Sequence, residues 1–355
     1  MDNIVRADLI NFNAYSSARD EAKSGKIWLN ANESPYDVEL SNKTKINRYP
    51  EKQSADLSHK IAGLFKIKKN QLIISRGSDE VIDLLVRLCC TAGEDAILIC
   101  PPTYGMYAVS ARLQNAEIIQ VPLLKSTDFQ LDMESILNMK NKQNKNIKII
   151  FLCSPNNPTG NLIKKEDIFS LCEAYAGKSL IVVDEAYIDY ADAKSLAEYI
   201  NKYKNLVILR TFSKAYGLAG ARIGFLLANQ EIIRWLLKII APYPLSAVIA
   251  EYVLNRLSDE RLADIKNQIN AIKAERLKLL TAIKNMPWVK RIWPSEANYL
   301  LIETQDAQKI MRTCAEQGVV IREMFDKPGL DHAIRITVGT PEQNTVLIKV
   351  LEGIT

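Results

Sequence analysis

Short apolar runs alternate with helically spaced segments from about residue 70 to residue 230. Leu72–Ser75, Ala96–Cys100, Glu117–Val121, Ile147–Leu152, Leu180–Val183 and Leu206–Leu209 are rich in Ile, Val and Leu. Runs of that length and content are expected of strands buried on both faces of a parallel sheet. Between them apolar positions recur at helical spacing, as in Ser54–Phe65, Val81–Cys90 and the stretch from Tyr104 to about Gln114. Ser195–Tyr203 has the same spacing, so Leu180–Leu209 reads as a β-α-β unit. The first thirty residues read as a helix followed by an extended run, Ile27–Leu29.

The pattern changes after Glu231. Long helical segments cover Glu231–Ile240 and Ser246–Met286, with a break near Ser258. Strands are expected at Asn298–Glu303, Val319–Arg322 and Ala333–Thr337, and helices at Ala307–Gln317 and Pro341–Leu351. The expected fold is α/β: a mostly parallel central sheet with helices on both faces, plus a smaller α+β domain. The division is 1–47 as an N-terminal arm and part of the small domain, 48–250 as the large domain, and 251–355 as the C-terminal small domain.

In an open parallel sheet the ligand sits outside the carboxyl ends of the strands, and those ends carry the polar clusters here. Leu180–Val183 runs into Asp184-Glu185-Ala186-Tyr187, and Leu206–Leu209 into Thr211-Phe212-Ser213-Lys214. Asp184 alone could be a helix cap, and Lys214 alone a solvated charge. Delivered to one rim from neighbouring strands, with Arg222 eight residues on, they form a set: an amine, an acid and an anion-binding guanidinium. A pyridoxal 5'-phosphate site needs these three groups. Ser78 lies at an N-cap-like position, where free N–H groups suit a phosphate. Asn157, in the turn after Ile147–Leu152, and Tyr187 can reach the cofactor's phenolic oxygen; Tyr104 can stack on its ring. Arg322 and Arg335, at the ends of two expected strands, can converge on one anion.

Composition narrows the field. The chain has 355 residues, 48% hydrophobic and 25% charged, with a net charge of +5, enough for a large core and too weakly basic to argue for nucleic acid. The six cysteines lack a CxxC pair, as expected of reduced thiols in the cytoplasm. The N-terminus has no apolar signal segment, and no stretch is apolar enough to span a membrane. The sequons at Asn32 and Asn42 are then expected to carry no sugar. Gly217-x-x-Gly220-x-x-x-Gly224 is not a dinucleotide fingerprint. Gly177-Lys178-Ser179 lacks the earlier P-loop glycine, since Cys172 stands there. His59 and His332, the two histidines, have no evident serine or metal partner, which disfavours triad and metal-hydrolase chemistry.

Eight segments carry a family resemblance: Leu29–Glu33, Asn47–Pro50, Cys100–Tyr107, Ser154–Gly160, Asp184–Tyr187, Thr211–Ala215, Ala241–Ser246 and Arg335–Thr340. With them the chain resembles the fold type I pyridoxal-phosphate aminotransferases of the class II subfamily, and within these the histidinol-phosphate group. The resemblance implies ping-pong transamination of L-histidinol phosphate with 2-oxoglutarate, giving imidazole-acetol phosphate and L-glutamate, in histidine biosynthesis. It implies that Lys214 carries pyridoxal 5'-phosphate, with Asp184 on the ring nitrogen and Asn157 and Tyr187 on the phenolic oxygen. Tyr104 would stack on the ring; Gly77, Ser78, Asp79, Ser213 and Arg222 would surround the phosphate. It further implies a homodimer with shared active sites, in which Tyr49 reaches the partner's cofactor. The substrate side would use Tyr15, Asn32, Arg322 and Arg335, with no metal. The rivals are an aromatic amino-acid aminotransferase, a phosphothreonine decarboxylase of the same fold, and a non-enzymatic cofactor-binding sensor domain.

Overall fold

The structure, a computed structural model, describes residues 3–16, 27–37, 45–142 and 146–354. Seven strands form the main sheet: β1 (Leu72–Ser75), β2 (Asp95–Ile99), β3 (Glu117–Gln120), β4 (Asn146–Cys153), β5 (Leu180–Asp184), β6 (Leu206–Thr211) and β7 (Gly224–Ala228). Their order is β1-β7-β6-β5-β4-β2-β3. Pairings from β6 through β5, β4 and β2 to β3 are parallel; β7 runs antiparallel to both β1 and β6.

Strand alternation explains the two-sided core. Leu180, Val182, Val207 and Leu209 point into one buried cluster, which the helices α2 (Ser78–Cys89), α3 (Met106–Leu113) and α6 (Gln230–Ile239) share. Ile181, Val183, Leu206 and Ile208 point into the other, with α1 (Ala55–Phe65), α5 (Lys165–Ala174) and α7 (Ala247–Arg256). α4 (Met133–Lys142) completes the large part of the chain. After α8 (Asp259–Ile283), a four-stranded antiparallel sheet holds β8 (Val289–Ile292), β9 (Tyr299–Thr304), β10 (Arg322–Glu323) and β11 (Ala333–Thr337), in the order β10-β11-β9-β8. α9 (Ala307–Glu316) and α10 (Pro341–Glu352) cover it. Tyr299 and Leu301 enter the same cluster as Ile181 and Val183, so one core ties the two sheets.

Several expectations need correction. Ser195–Tyr203 is not an α-helix; the β5–β6 crossover is made by short 3-10 turns at Ile188–Tyr190 and Leu196–Tyr199. Val319–Arg322 is not a strand: Val320 is 92% exposed, and pairing begins only at Arg322, opposite Arg335. Gly77, not Ser78, caps α2; its φ of 81° leaves Ser78 as the first helical residue. The described part of the first thirty residues holds a single 3-10 turn, Ala7–Leu9; residues 17–26, like Asn42, lie outside the described residues. The break near Ser258 is real, and its side chain caps α8. Strands β7 and β8 had no counterpart in the hydrophobic pattern. All six cysteines are buried free thiols. Among the described residues, no helix is long and apolar enough to cross a membrane.

Candidate active site

A cavity of about 490 Å³ opens where β4, β5 and β6 end, at Cys153, Asp184 and Thr211. Its far wall is Arg322 and Arg335 from β10 and β11. The cavity is lined by Gly77, Ser78, Asp79, Tyr104, Asn157, Asp184, Tyr187, Ser213, Lys214, Arg222, Arg322 and Arg335 together. Residues from eight separate stretches of the sequence thus meet in one space. Tyr15, Asn32 and Tyr49 do not line it.

Asp184 sits at the floor, 3% exposed. Its Oδ2 accepts a hydrogen bond from the Tyr107 hydroxyl at 2.9 Å, and Oδ1 accepts the Ala186 backbone N–H at 3.0 Å. Both donors are neutral. Burial therefore wins over these bonds and pushes the carboxyl up to about 6, with Asp79 adding to the rise and Lys214 opposing it. Lys214 lies in the loop after β6, its Nζ 5.5 Å from the centre of the Tyr187 ring. Desolvation lowers its amine's proton affinity, and the Arg335 charge lowers it further. An amine shifted in that direction serves as nucleophile and base more readily than a surface lysine.

The corner opposite Asp184 is shaped for an anion. The first turn of α2 presents backbone N–H groups there. Gly224 of β7 passes so close that a Cβ on it would lie 2.2 Å from the Ser78 nitrogen. A Cβ at Gly77 would come within 2.7 Å of Arg222 Nη2. Arg222 itself holds a left-handed backbone, φ 54°, an uncommon state for a non-glycine residue that turns its guanidinium toward this corner. Arg222 Nη2 meets Asp79 Oδ2 at 3.3 Å, and Asp79 Oδ1 accepts the Tyr104 hydroxyl at 2.9 Å.

At the other end Arg322 and Arg335 face each other across β10 and β11. Arg335 donates from Nη1 to Asn157 Oδ1, and lies over the Tyr299 ring at 5.2 Å. Its Nε is buried without a hydrogen-bond partner among the described residues. A guanidinium with an unused donor beside a cavity is suited to an entering anion.

The three expected residues outside the cavity belong to the N-terminal segments. Tyr15 is 69% exposed. Asn32 has a left-handed backbone in a loop whose Glu33 binds Arg48 Nη1 at 2.8 Å and the Tyr49 backbone N–H at 2.6 Å. Tyr49 stacks on Tyr243 at 4.4 Å. The contacts that sequence reasoning missed are Tyr107 on Asp184, Thr103 on Asn156 at 3.0 Å, and Lys327 at the arginine end of the cavity. Tyr107 stood three residues past Tyr104 in a noted segment; nothing in the sequence told which strand it would meet.

A seven-stranded α/β sheet with an amine and an acid at its carboxyl rim, faced across the cavity by paired arginines of the second sheet, defines a group-transfer enzyme of the fold type I class. The profile of the family described as "Aminotransferase class I and II" matches residues 7–351, and the chain belongs to that family. It is 42% identical to histidinol-phosphate aminotransferase of Serratia proteamaculans (strain 568), over all of this chain and 96% of the relative. It is 39% identical to the protein of that name from Buchnera aphidicola subsp. Schizaphis graminum (strain Sg), over 99% and 98%. Among solved structures, histidinol-phosphate aminotransferase from Sinorhizobium meliloti in complex with pyridoxal-5'-phosphate matches with TM-score 0.76 and 23% identity, covering 86% of this chain and 82% of that one. L-threonine-O-3-phosphate decarboxylase from Porphyromonas gingivalis shares the fold at TM-score 0.70 and 24% identity, covering 86% and 90%.

Proposed function

We propose that this aminotransferase uses pyridoxal 5'-phosphate to exchange the amino group of L-histidinol phosphate with 2-oxoglutarate, giving imidazole-acetol phosphate and L-glutamate. The observation that carries the substrate is the Arg322–Arg335 pair, set across two strands at the wall of the Lys214 cavity. Histidinol phosphate has no α-carboxylate; its anion is a phosphate ester, and two planar forks suit that group. Glutamate presents a distal carboxylate to the same end in the other half-reaction. The name shared by relatives at about 40% identity points to the same substrate.

The cavity fits the cofactor. Asp184 is a buried carboxylate held only by neutral donors, ready for a protonated ring nitrogen. Arg222, Ser213 and the first turn of α2, with Gly77, Ser78 and Asp79, would hold the phosphate. Asn157 and Tyr187 would face the phenolic oxygen, and Tyr104 the ring. Bound there, pyridoxal phosphate would supply an electron sink for the carbanion left when the substrate carbon loses its proton. Lys214 would carry the group covalently and, once freed, take that proton on Nζ. Asp184 keeps a negative charge at the ring-nitrogen end. Arg322 and Arg335 anchor the substrate's anion, and enclosure by Tyr104 and Tyr187 excludes water.

Further parts of the reading concern the assembly. Residues 48–250 serve as the cofactor domain, 251–355 as the small domain bearing the arginines, and 1–47 as an arm. The active unit is a cytoplasmic homodimer in which Tyr49 reaches the partner's phosphate, with Tyr15 and Asn32 on the substrate side. What supports this is that these residues lie outside their own chain's cavity, and that Ile27 and Leu29, which line one hollow with Tyr49, are 80% and 84% exposed. The test is a coupled assay on cofactor-loaded protein, comparing histidinol phosphate with phenylalanine and tyrosine as donors to 2-oxoglutarate. A large preference for the phosphate ester is expected. Comparable rates with aromatic donors would make it an aromatic transaminase, and carbon dioxide release from phosphothreonine would make it a decarboxylase.

A further inference from the structure

We propose that Tyr107 is a positioning residue for Asp184: its buried hydroxyl holds the carboxylate turned toward the cavity and ionised, joining the acid to the aromatic wall that faces the same ligand. The inference rests on the cofactor reading above for its consequence in catalysis, though not for the bond itself.

Tyr107 is fully buried, with 0% exposure. It stands in the first turn of α3, and its ring lies flat on Phe151 of β4, centres 4.7 Å apart and planes 4° apart. The edge of Tyr104 meets it at 5.6 Å, with the planes at 84°. Packed on both sides, the ring has one place for its hydroxyl, and there Asp184 Oδ2 accepts it at 2.9 Å. A phenol enclosed this way stays neutral, because burial and the facing carboxylate both oppose its ionisation. It is therefore a donor at every working pH. The groups that face Asp184 are Asp79 from α2, Tyr104 and Tyr107 from α3 and the loop before it, Cys153 from β4, Lys214 and Tyr187 from the loops after β6 and β5, and Tyr299 from β9. Among these, Tyr107 alone donates a side-chain hydrogen bond to the carboxylate. Removing that donor leaves Oδ2 unsatisfied in a buried site, where the neutral acid is the cheaper state. A neutral acid no longer holds a proton on a partner ring nitrogen.

Tyr107→Phe keeps the stack and deletes the donor. The carboxyl of Asp184 is followed in cofactor-free protein by 13C-aspartate NMR, its signal assigned by its loss in Asp184→Asn. The midpoint is expected to rise from about 6 by about one pH unit. In loaded enzyme, kcat is expected to fall about tenfold with KM for the amino donor changed less than about threefold. An unchanged midpoint in a folded Tyr107→Phe overturns the proposal, whatever happens to turnover, since Tyr107 would then only pack. Should that variant fail to fold, 3-fluorotyrosine at position 107 keeps the ring and strengthens the donor. The midpoint must then fall, and a midpoint that stays put overturns the proposal equally. Wild-type protein that binds no pyridoxal phosphate would sink the cofactor reading while leaving this titration as a separate result.

Discussion

Asp184 and Glu185 are neighbours in sequence, both buried and both carboxylates, and they have opposite fates. Alternation along β5 continues through them. Leu180 and Val182 point to the α2–α3 side, and Asp184 follows them to Tyr107. Ile181 and Val183 point to the α1 side, and Glu185 follows them to Arg210, which has the same parity as Leu206 and Ile208 on β6. Glu185 Oε2 lies 3.5 Å from Arg210 Nη1, and its other oxygen accepts the Leu196 backbone N–H at 2.7 Å. Arg210 also binds Asp189 at 2.7 Å and covers the Phe65 ring. Burial raises the proton affinity of both acids. One has a buried cation of its own; the other has neutral donors and an open cavity. A buried acid paired with a buried cation is a structural joint, whereas one held by neutral donors at a cavity wall is suited to a cationic ligand.

The largest effect should come from Lys214, the cavity cation that acts on Asp184. Lys214→Ala should leave a folded protein with turnover reduced by at least about 10^4, because the covalent and proton-moving roles go together. Single-turnover transamination near the wild-type rate would remove Lys214 from the mechanism. Next is the exchange that tests the two acids directly. Asp184→Asn should lower kcat by about 10^2–10^3 while the cofactor-free protein becomes more stable at pH 8, by up to ~3 kcal/mol from the upward shift to about 6. Loss of stability on that substitution would mean the acid is a joint after all.

Glu185→Gln should behave in the reverse way. It leaves Asp189 as the carboxylate on Arg210 and breaks the buried pair with Glu185, which costs up to about 3 kcal/mol, read as a lower urea midpoint at constant slope. Turnover per folded molecule should stay within about threefold of wild type, since Glu185 does not line the cavity. A selective loss of kcat in a stable Glu185→Gln protein would erase the distinction between the two faces of β5.

How much of this was legible in the chain depends on range. Leu180–Val183 and Leu206–Leu209 announced themselves because strands buried on both faces need unbroken apolar runs. Asp184, Lys214 and Arg222 were legible as candidates because each follows such a run, and the rim rule brings strand ends together. The short strand at Gly224–Ala228 was missed because four apolar residues after a glycine do not separate strand from helix. Val319–Ile321 misled in the other direction: its apolar side chains stay outside the sheet, and register with Arg335 begins at Arg322. The Tyr107–Asp184 contact spans 77 residues, and no local pattern encodes a contact at that distance. Glu185 has no legible role beside Asp184 in the sequence, since only the period-two geometry of β5 separates them.

The smallest effect is the one that reports the comparison without any chemistry. Asp184 has a folded value of about 6 against an ordinary value of 3.8. Because the folded state binds the proton more tightly, this group favours folding below the ordinary value, and that contribution is lost as pH rises through about 6. The stability of cofactor-free wild type minus that of Asp184→Asn should therefore fall by ~1 kcal/mol between pH 5 and pH 7. Urea melts at closely spaced pH values would read it, and the mutant serves to cancel every other titrating group. Pyridoxal phosphate should remove the slope, because a cation against the carboxylate restores its ordinary charge state. A difference that rises with pH would mean that Lys214 outweighs burial at Asp184, and the contrast with Glu185 would then be one of degree.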